Sequence, residues 1–339
     1  MLRRGPEVAD LPTIAQNQPM HDFTLVAPQA PFASSVTLTL DLLTTAAKLA
    51  CRVGVAPPRW RVCAVKPGSI PLGNGLHLQV DKLPARSSAH ECWILPGLDI
   101  DDACQLEARL RQPDIPPLLA ALRRHARAGG TIAGSCSSVF LLNAAGLLEG
   151  RCVTTTWWLA PALRRVAPTT RVEPGRMVHA DGPLITAGAA MAHMDLVLYV
   201  LRQRFGEQLT AMLGQALLVE QRRLQSLYMS PAMMVPENNL IALLTRHIAE
   251  TLPEPVTVGT LAARANMSTR TLNRQVNKVL GYGPQQLIQS VRLNRARVLL
   301  ESGGLSVEEV TAQVGLGDSA TLRRLLRRRL GLNPTQVRG

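Results

Sequence analysis

The sequence predicts an α/β doubly wound N-terminal domain followed by an all-α C-terminal domain with two helix-turn-helix units. Three observations carry that prediction. The chain has 339 residues, more than one ordinary hydrophobic core accommodates. Between residues 22 and 200, short β-rich runs alternate with runs of helical apolar spacing, the pattern of a largely parallel sheet covered on both faces. From residue 240 onward no strand pattern appears, and helix caps recur at regular intervals.

In chain order, residues 1–20 carry basic residues but no apolar h-region, and they read as a flexible extension rather than a secretory signal. The α/β domain is expected over 21–205. Its strand-like runs are DFTLVA, RWRVCAV, ECWILPG, TIAGS, CVTTT and PLITAG. Its helical runs are TLTLDLLTTAAKLA, IPPLLAALRRHARAG, SVFLLNAAGLLEG, WLAPALRRVA and AAMAHMDLVLYVLRQRFG. Residues 206–239 read as a connecting helix and linker. EQLTAMLGQALLVEQRRLQSL is compatible with one long helix, and the two prolines of SPAMMVPENN mark the break. Residues 240–339 form the helical domain.

Charge separates the two halves. The chain is net +13 with a sequence pI near 10.5, which points to an anionic partner. Residues 240–339 hold 14 Lys+Arg against 6 Asp+Glu, net +8, while the other 239 residues hold 23 against 18, net +5. Aromatic residues are only 3%, which argues against the stacking platforms of single-strand binders. The six cysteines form no CxxC pair and have no histidine at zinc spacing, so no metal and no cofactor is expected. No run of 18 apolar residues exists, and the expected compartment is a reducing cytoplasm.

The first helical unit is VTVGTLAARANMSTRTLNRQVNKVLG. Val258, Leu261 and Ala262 give one buried stripe, Asn266-Met267 the turn, and Ser268 the cap of a helix whose Leu272, Val276 and Val279 face inward. The second is LSVEEVTAQVGLGDSATLRRLLRRRLG. Ser306-x-x-Glu309 is a capping box, Gly315 and Gly317 bracket the turn, Leu322 and Leu326 anchor the last helix, Gly331 suits its C-cap and Pro334 stops the chain continuing. Between them PQQLIQSVRLNRARVLLES reads as a spacer helix. A helix entering the major groove presents its outward side chains to base edges. Here those are Arg270, Asn273 and Arg274, then Ala320, Thr321, Arg323 and Arg324. Arginine suits guanine and asparagine adenine. Arg327, Arg328 and Arg329, further along, suit phosphates.

VGLGDSATLRRLLRRRLGLNPTQVR resembles the C-terminal signature of AraC/XylS-type transcription regulators, over about Val256 to Arg338. The resemblance implies a two-unit reader of successive major-groove segments on one DNA face. Leu316, Leu322, Leu326 and Leu330 stand where that family commonly has Phe, and Val337 where it has Tyr.

In the first domain, AGSCSSVFLLNAAGLLEGRCVTTTWW is similar to the nucleophile-elbow segment of the class I glutamine amidotransferase-like (ThiJ/PfpI) superfamily, in the version fused ahead of AraC-type domains. ITAGAAMAHMDLVLYVL resembles a second stretch of it. The resemblance implies a flavodoxin-like fold with Cys136 at a strand-to-helix turn. A cysteine nucleophile needs a base or a positive neighbour. Superfamily proteases place His after the cysteine, where this chain has Ser137; the fused regulators read Thr-Thr-His-Trp, where this chain has Thr156 before Trp157. His193 lies near the start of a later helix. Cys136 is thus open to three roles: ligand contact at the helix N-terminus, oxidation to sulfenic acid, or a retained scaffold residue. Trp157 and Trp158 either line a pocket or fill the core.

The expected protein is therefore a sequence-specific, DNA-binding transcription regulator without catalysis. Its α/β domain dimerises and senses a small-molecule effector through Cys136, Ser137, Thr156, Trp157 and His193. Its expected partners are double-stranded DNA, a second copy in a homodimer, an effector, and RNA polymerase if it activates, with no membrane. The alternative is a cysteine-dependent amidase or protease-like enzyme carrying a DNA-binding tail.

Overall fold

In the computed structural model, residues 21–100, 102–219, 222, 225, 239–330 and 332–338 are described. The strands among them are β1 (Phe23–Val26), β2 (Trp60–Ala64), β3 (Gly68–Pro71), β4 (His77–Lys82), β5 (Cys92–Leu95), β6 (Thr131–Ser135), β7 (Cys152–Val153), β8 (Arg171–Val172), β9 (Val178–Asp181) and β10 (Leu184–Ala187). The helices that accompany them are α1 (Ala33–Ala50), α2 (Ala103–Leu110), α3 (Ile115–Arg127), α4 (Val139–Ala144), α5 (Ala160–Val166), α6 (Ala192–Phe205) and α7 (Glu207–Leu217).

Eight strands form one sheet in the order β3-β4-β2-β1-β5-β6-β10-β9, while β7 and β8 pair separately. From β4 to β10 the neighbours run parallel, and the edge strands β3 and β9 are antiparallel. The chain winds from β1 out to β2, then returns to β5 and winds the other way. That reversal makes a topological switch point between β1 and β5.

Side chains alternate across each strand, so one apolar run feeds two cores. Phe23, Leu25, Cys92, Ile94, Ala133 and Ile185 join α1, α6 and α7 on one face. Val26, Trp93, Leu95, Ile132 and Leu184 join α3 and α4 on the other. The single helix compatible with residues 207–227 is interrupted. Gly206, at φ +87°, separates α7 from α6, and Leu218 ends α7 in the left-handed region. The expected break at SPAMMVPENN lies, but for Asn239, outside the described residues.

The C-terminal helices are α8 (Asn239–Thr251), α9 (Val258–Arg264), α10 (Thr269–Leu280), α11 (Pro284–Glu301), α12 (Val307–Gln313), α13 (Ser319–Leu330) and α14 (Pro334–Arg338). Proline at the first turn starts α11 without losing a hydrogen bond. At 18 residues α11 is about 27 Å long, and it serves two cores. Leu287, Ile288 and Val291 pack with Ile241, Leu261, Leu272 and Val276; Leu293, Ala296 and Leu300 pack with Val310, Val314, Leu322 and Leu326. Pro334 does not stop the chain. It opens α14, whose Val337 closes the second core. Gly331 lies outside the described residues. No helix among the described residues is long and apolar enough to cross a membrane.

Candidate functional site

The two helices expected to face DNA carry basic outer faces. Asn266 takes φ +54° in the turn before α10, a conformation asparagine tolerates. Ser268 caps α10 by accepting from the Thr271 N–H at 3.2 Å, and Gly281, at φ +75°, ends it. Leu272, Val276 and Leu280 are buried, which leaves Arg270, Asn273 and Arg274 exposed on the opposite face. Asn273 Nδ2 donates to its own helix at the Thr269 carbonyl, 2.8 Å, with one of its two N–H groups, leaving the other and Oδ1 for a partner.

In the second unit the capping box forms as expected: the Ser306 N–H donates to Glu309 Oε2 at 2.6 Å and the Glu309 N–H to Ser306 Oγ at 3.1 Å. Ala320, Arg323, Arg324, Arg327 and Arg328 are exposed along α13. Thr321 is half-buried. The Thr321 N–H donates to Asp318 Oδ1 at 2.6 Å, its hydroxyl donates to Asp318 Oδ2 at 3.0 Å, and Arg324 Nη2 donates to that hydroxyl at 3.2 Å. Thr321 thus holds the helix start and Arg324 rather than standing open to a base edge. Asp318 as cap was missed in the sequence, although Asp three residues ahead of Thr was its signal.

A polar clasp fixes the two units to each other. Gly315 sits at φ +68° in the second turn, and a Cβ there would lie 2.0 Å from the Pro253 carbonyl ahead of the first unit. Arg292, in the middle of α11, donates from Nη1 to the Gly315 carbonyl at 2.8 Å and from Nη2 to the Glu254 carbonyl at 3.2 Å.

At the carboxyl end of β6, Cys136 takes φ +56°, a strained backbone for a non-glycine residue. Its N–H donates to the Gly188 carbonyl at 2.8 Å and its carbonyl accepts from the Thr155 hydroxyl at 2.7 Å. Gly97 leaves room for its side chain: a Cβ on Gly97 would fall 3.0 Å from Cys136 Cβ. Ser137 Oγ donates to the Leu98 carbonyl at 3.0 Å and accepts from the Leu98 N–H at 2.8 Å, tying the turn to the loop after β5. Thr156 is fully buried, and its hydroxyl has no hydrogen-bond partner among the described residues.

His193 is not available to this site. It is fully buried, Nδ1 sits 2.7 Å from Ser135 Oγ and Nε2 2.7 Å from Thr39 Oγ1, and burial pulls its pKa down to about 3. Both ring nitrogens are spent on hydroxyls between α1, β6 and α6. The expectation that it faces a ligand gives way to a core histidine, because the helix that carries it packs flat on the sheet. Of the other cysteines, burial pushes Cys63 up to about 11 and Cys92 up to about 12, so neither is a thiolate.

Residues 42–203 match the DJ-1/PfpI family and residues 261–339 match a helix-turn-helix domain of AraC type. The chain joins a DJ-1/PfpI domain to an AraC-type helix-turn-helix domain. The HTH-type transcriptional regulator CdhR of Pseudomonas aeruginosa is 27% identical over 285 residues, 83% of this chain and 81% of its own. The HTH-type transcriptional regulator GlxA of Rhizobium meliloti is 25% identical over 299 residues, 83% of this chain and 86% of its own. A solved structure of a Vibrio parahaemolyticus protein named for a transcriptional regulator aligns at a TM-score of 0.50 and 16% identity, over 58% of this chain and 100% of that one, which supports the α/β fold.

The DJ-1/PfpI domain reaches the helix-turn-helix domain through residues just beyond the Cys136 site. Trp157, 3% exposed, belongs to the same apolar cluster as Ile241, Leu272 and Leu280, and Trp158 meets it edge-to-face at 5.2 Å. The choice between pocket wall and core thus has a third outcome, a joint between domains. Arg164 in α5 approaches the end of α10: a Cβ on Gly281 would fall 2.9 Å from its Nη1. A cation there suits a helix C-terminus. Elsewhere in the DJ-1/PfpI domain, Cys152, Glu173 and His179 bring ligand atoms within 4.8 Å of one another. Glu173 already pairs with Arg171 at 2.5 Å and Arg176 at 3.5 Å, which opposes a metal there. A cavity of about 700 Å³ opens at the carboxyl ends of β1 and β2, lined by Ala30, Lys66, Asp99, Ile100 and Arg109 among others; such crevices are where doubly wound sheets take ligands.

Proposed function

We propose that the protein is a sequence-specific DNA-binding transcription regulator that reads two successive major-groove segments with α10 and α13. The observation that carries this reading is the pair of capped, arginine-faced helices held in one register by α11 and the Arg292 clasp. Arg270, Asn273, Arg274, Arg323 and Arg324 address base edges, while Arg327 and Arg328 address phosphates. The DJ-1/PfpI domain is non-catalytic, pairs two copies of the chain, and senses a small molecule near Cys136. A ligand alters DNA binding to the extent that it prefers one arrangement of the joint at Trp157.

The strained turn at Cys136 favours a second reading, a cysteine-dependent hydrolase with a DNA-binding tail. Against it stands the chemistry of the surroundings: Thr156, where the resemblance implies His, cannot act as a base near neutral pH, and His193 is engaged on both nitrogens. The experiment pairs gel-shift titration on the DNA upstream of the gene with assay of amide and peptide hydrolysis, for the parental chain and Cys136→Ala. The regulator reading expects preference for that DNA over random duplex and no turnover. Turnover that disappears in Cys136→Ala, with no DNA preference, would support the hydrolase.

A further inference from the structure

Beside the Cys136 turn lies a slot shaped for one functional group. Its walls are the Thr155 carbonyl, the Thr154 hydroxyl and the Ala189 N–H. Gln225, from the chain between α7 and α8, fills it and is only 2% exposed. Gln225 Nε2 donates to the Thr155 carbonyl at 2.8 Å and to Thr154 Oγ1 at 3.2 Å, while its Oε1 accepts from the Ala189 N–H at 3.0 Å. The match of two acceptors and one donor is that of a primary carboxamide; a carboxylate, which only accepts, would leave two acceptors facing it. The floor is Gly188, where a Cβ would lie 2.1 Å from Gln225 Oε1, so no larger residue leaves the slot open.

The slot is wired to its neighbours on both sides. Gly188 accepts from the Cys136 N–H, and Thr155 donates to the Cys136 carbonyl. Next in the chain come the buried hydroxyl of Thr156, without a partner among the described residues, and then Trp157, inside the apolar cluster of the helix-turn-helix domain. Arg222, three residues before Gln225, is anchored by a 2.7 Å ion pair to Asp195, which is fully buried.

We infer that this slot is a primary-carboxamide site whose resident ligand is the chain's own Gln225, and that a small molecule bearing a primary carboxamide competes for it. Because the internal ligand is tethered, it holds the slot at high effective concentration, and removing it uncovers affinity for the free ligand. The inference rests on the reading of the DJ-1/PfpI domain as the sensing half.

The test uses the full chain with propionamide as probe and propionate as its control, read by ligand-observed NMR and by tryptophan emission. Gln225→Ala, with folding checked by circular dichroism, is expected to bind propionamide saturably, at least ~10-fold more tightly than the parental chain, and to show no binding of propionate. Gln225→Ser, which also empties the slot, serves the same comparison if the alanine variant does not fold. No saturable binding to the folded variant, equal binding to variant and parent, or equal binding of propionate would overturn the inference. Both readouts are made without DNA, so their failure leaves the DNA-binding reading standing, and loss of DNA preference leaves the slot's chemistry untouched.

Discussion

Cys136 follows the end of β6 and His193, from α6, bonds to Ser135 just before it, yet the two side chains have opposite fates. A φ of +56° at Cys136 costs of order 1–3 kcal/mol, and the surrounding bonds to Gly188 and Thr155 hold it. His193 is buried neutral. Its unfolded value of 6.5 and folded value of about 3 set a window: unfolded chains take up the proton below 6.5, folded ones only near 3. The stability that neutral His193 allows is therefore present above 6.5 and is lost as pH falls toward 3, by up to ~1.4 kcal/mol per pH unit. His125, lowered by burial, adds in the same direction. Urea midpoints are expected to fall between pH 7.5 and pH 5, and His193→Gln should flatten the fall; an unchanged slope would place the acid sensitivity elsewhere. On the DNA face, Arg270→Ala and Arg324→Ala are each expected to cost ~1–3 kcal/mol on the cognate site and to relax base choice. Equal loss on random duplex in a competition gel shift would mean that they touch phosphate alone.

At the scale of elements, Gly315 is the tightest point of the C-terminal domain. Gly315→Ala forces a methyl against the Pro253 carbonyl at positive φ and should destabilise that domain by ~1–3 kcal/mol in denaturant melts. Arg292→Met should spare helix content but lower affinity for the full site tenfold or more, ~1.4 kcal/mol, because α10 and α13 lose their common reference. Equal affinity in Arg292→Met would show that α11 alone sets the spacing. The elements with strong periodicity were legible in the chain. FTLV, CWIL, TIAGS and LITA are apolar on both faces because both faces are covered, and α10 and α13 show their buried stripe every three or four residues. GSIP and VHAD at the sheet edges, and HLQVDK beside one edge, escape the sequence pattern because they bury one side at most and look like loop. The strand in CVTTT is shorter than the sequence pattern suggests: Thr154–Thr156 leave the ladder, and Thr154 and Thr155 spend their polar groups on the site. The arginine faces were visible for the same periodic reason. Gln225 was not, since its partners lie 36 to 71 residues away and only the fold brings them together.

For the whole molecule, Trp157 is a side chain of the DJ-1/PfpI domain that packs in the helix-turn-helix core. Trp157→Ala removes a side chain shared with the helix-turn-helix core and should cost ~3–5 kcal/mol. The loss is expected in the C-terminal domain, seen as faster protease cleavage there, although the substituted residue belongs to the DJ-1/PfpI domain. Cleavage confined to the DJ-1/PfpI domain would make the tryptophan a local core residue. The measurement that reaches the centre of the account is a hydroxyl-radical footprint of the full chain on DNA upstream of its gene, across a salt series. Two protected patches per bound chain are expected, on one face of the duplex and about one helical turn of ~10 base pairs apart, weakening steeply with salt. A single patch, or uniform protection with no preferred sequence at moderate salt, would contradict it.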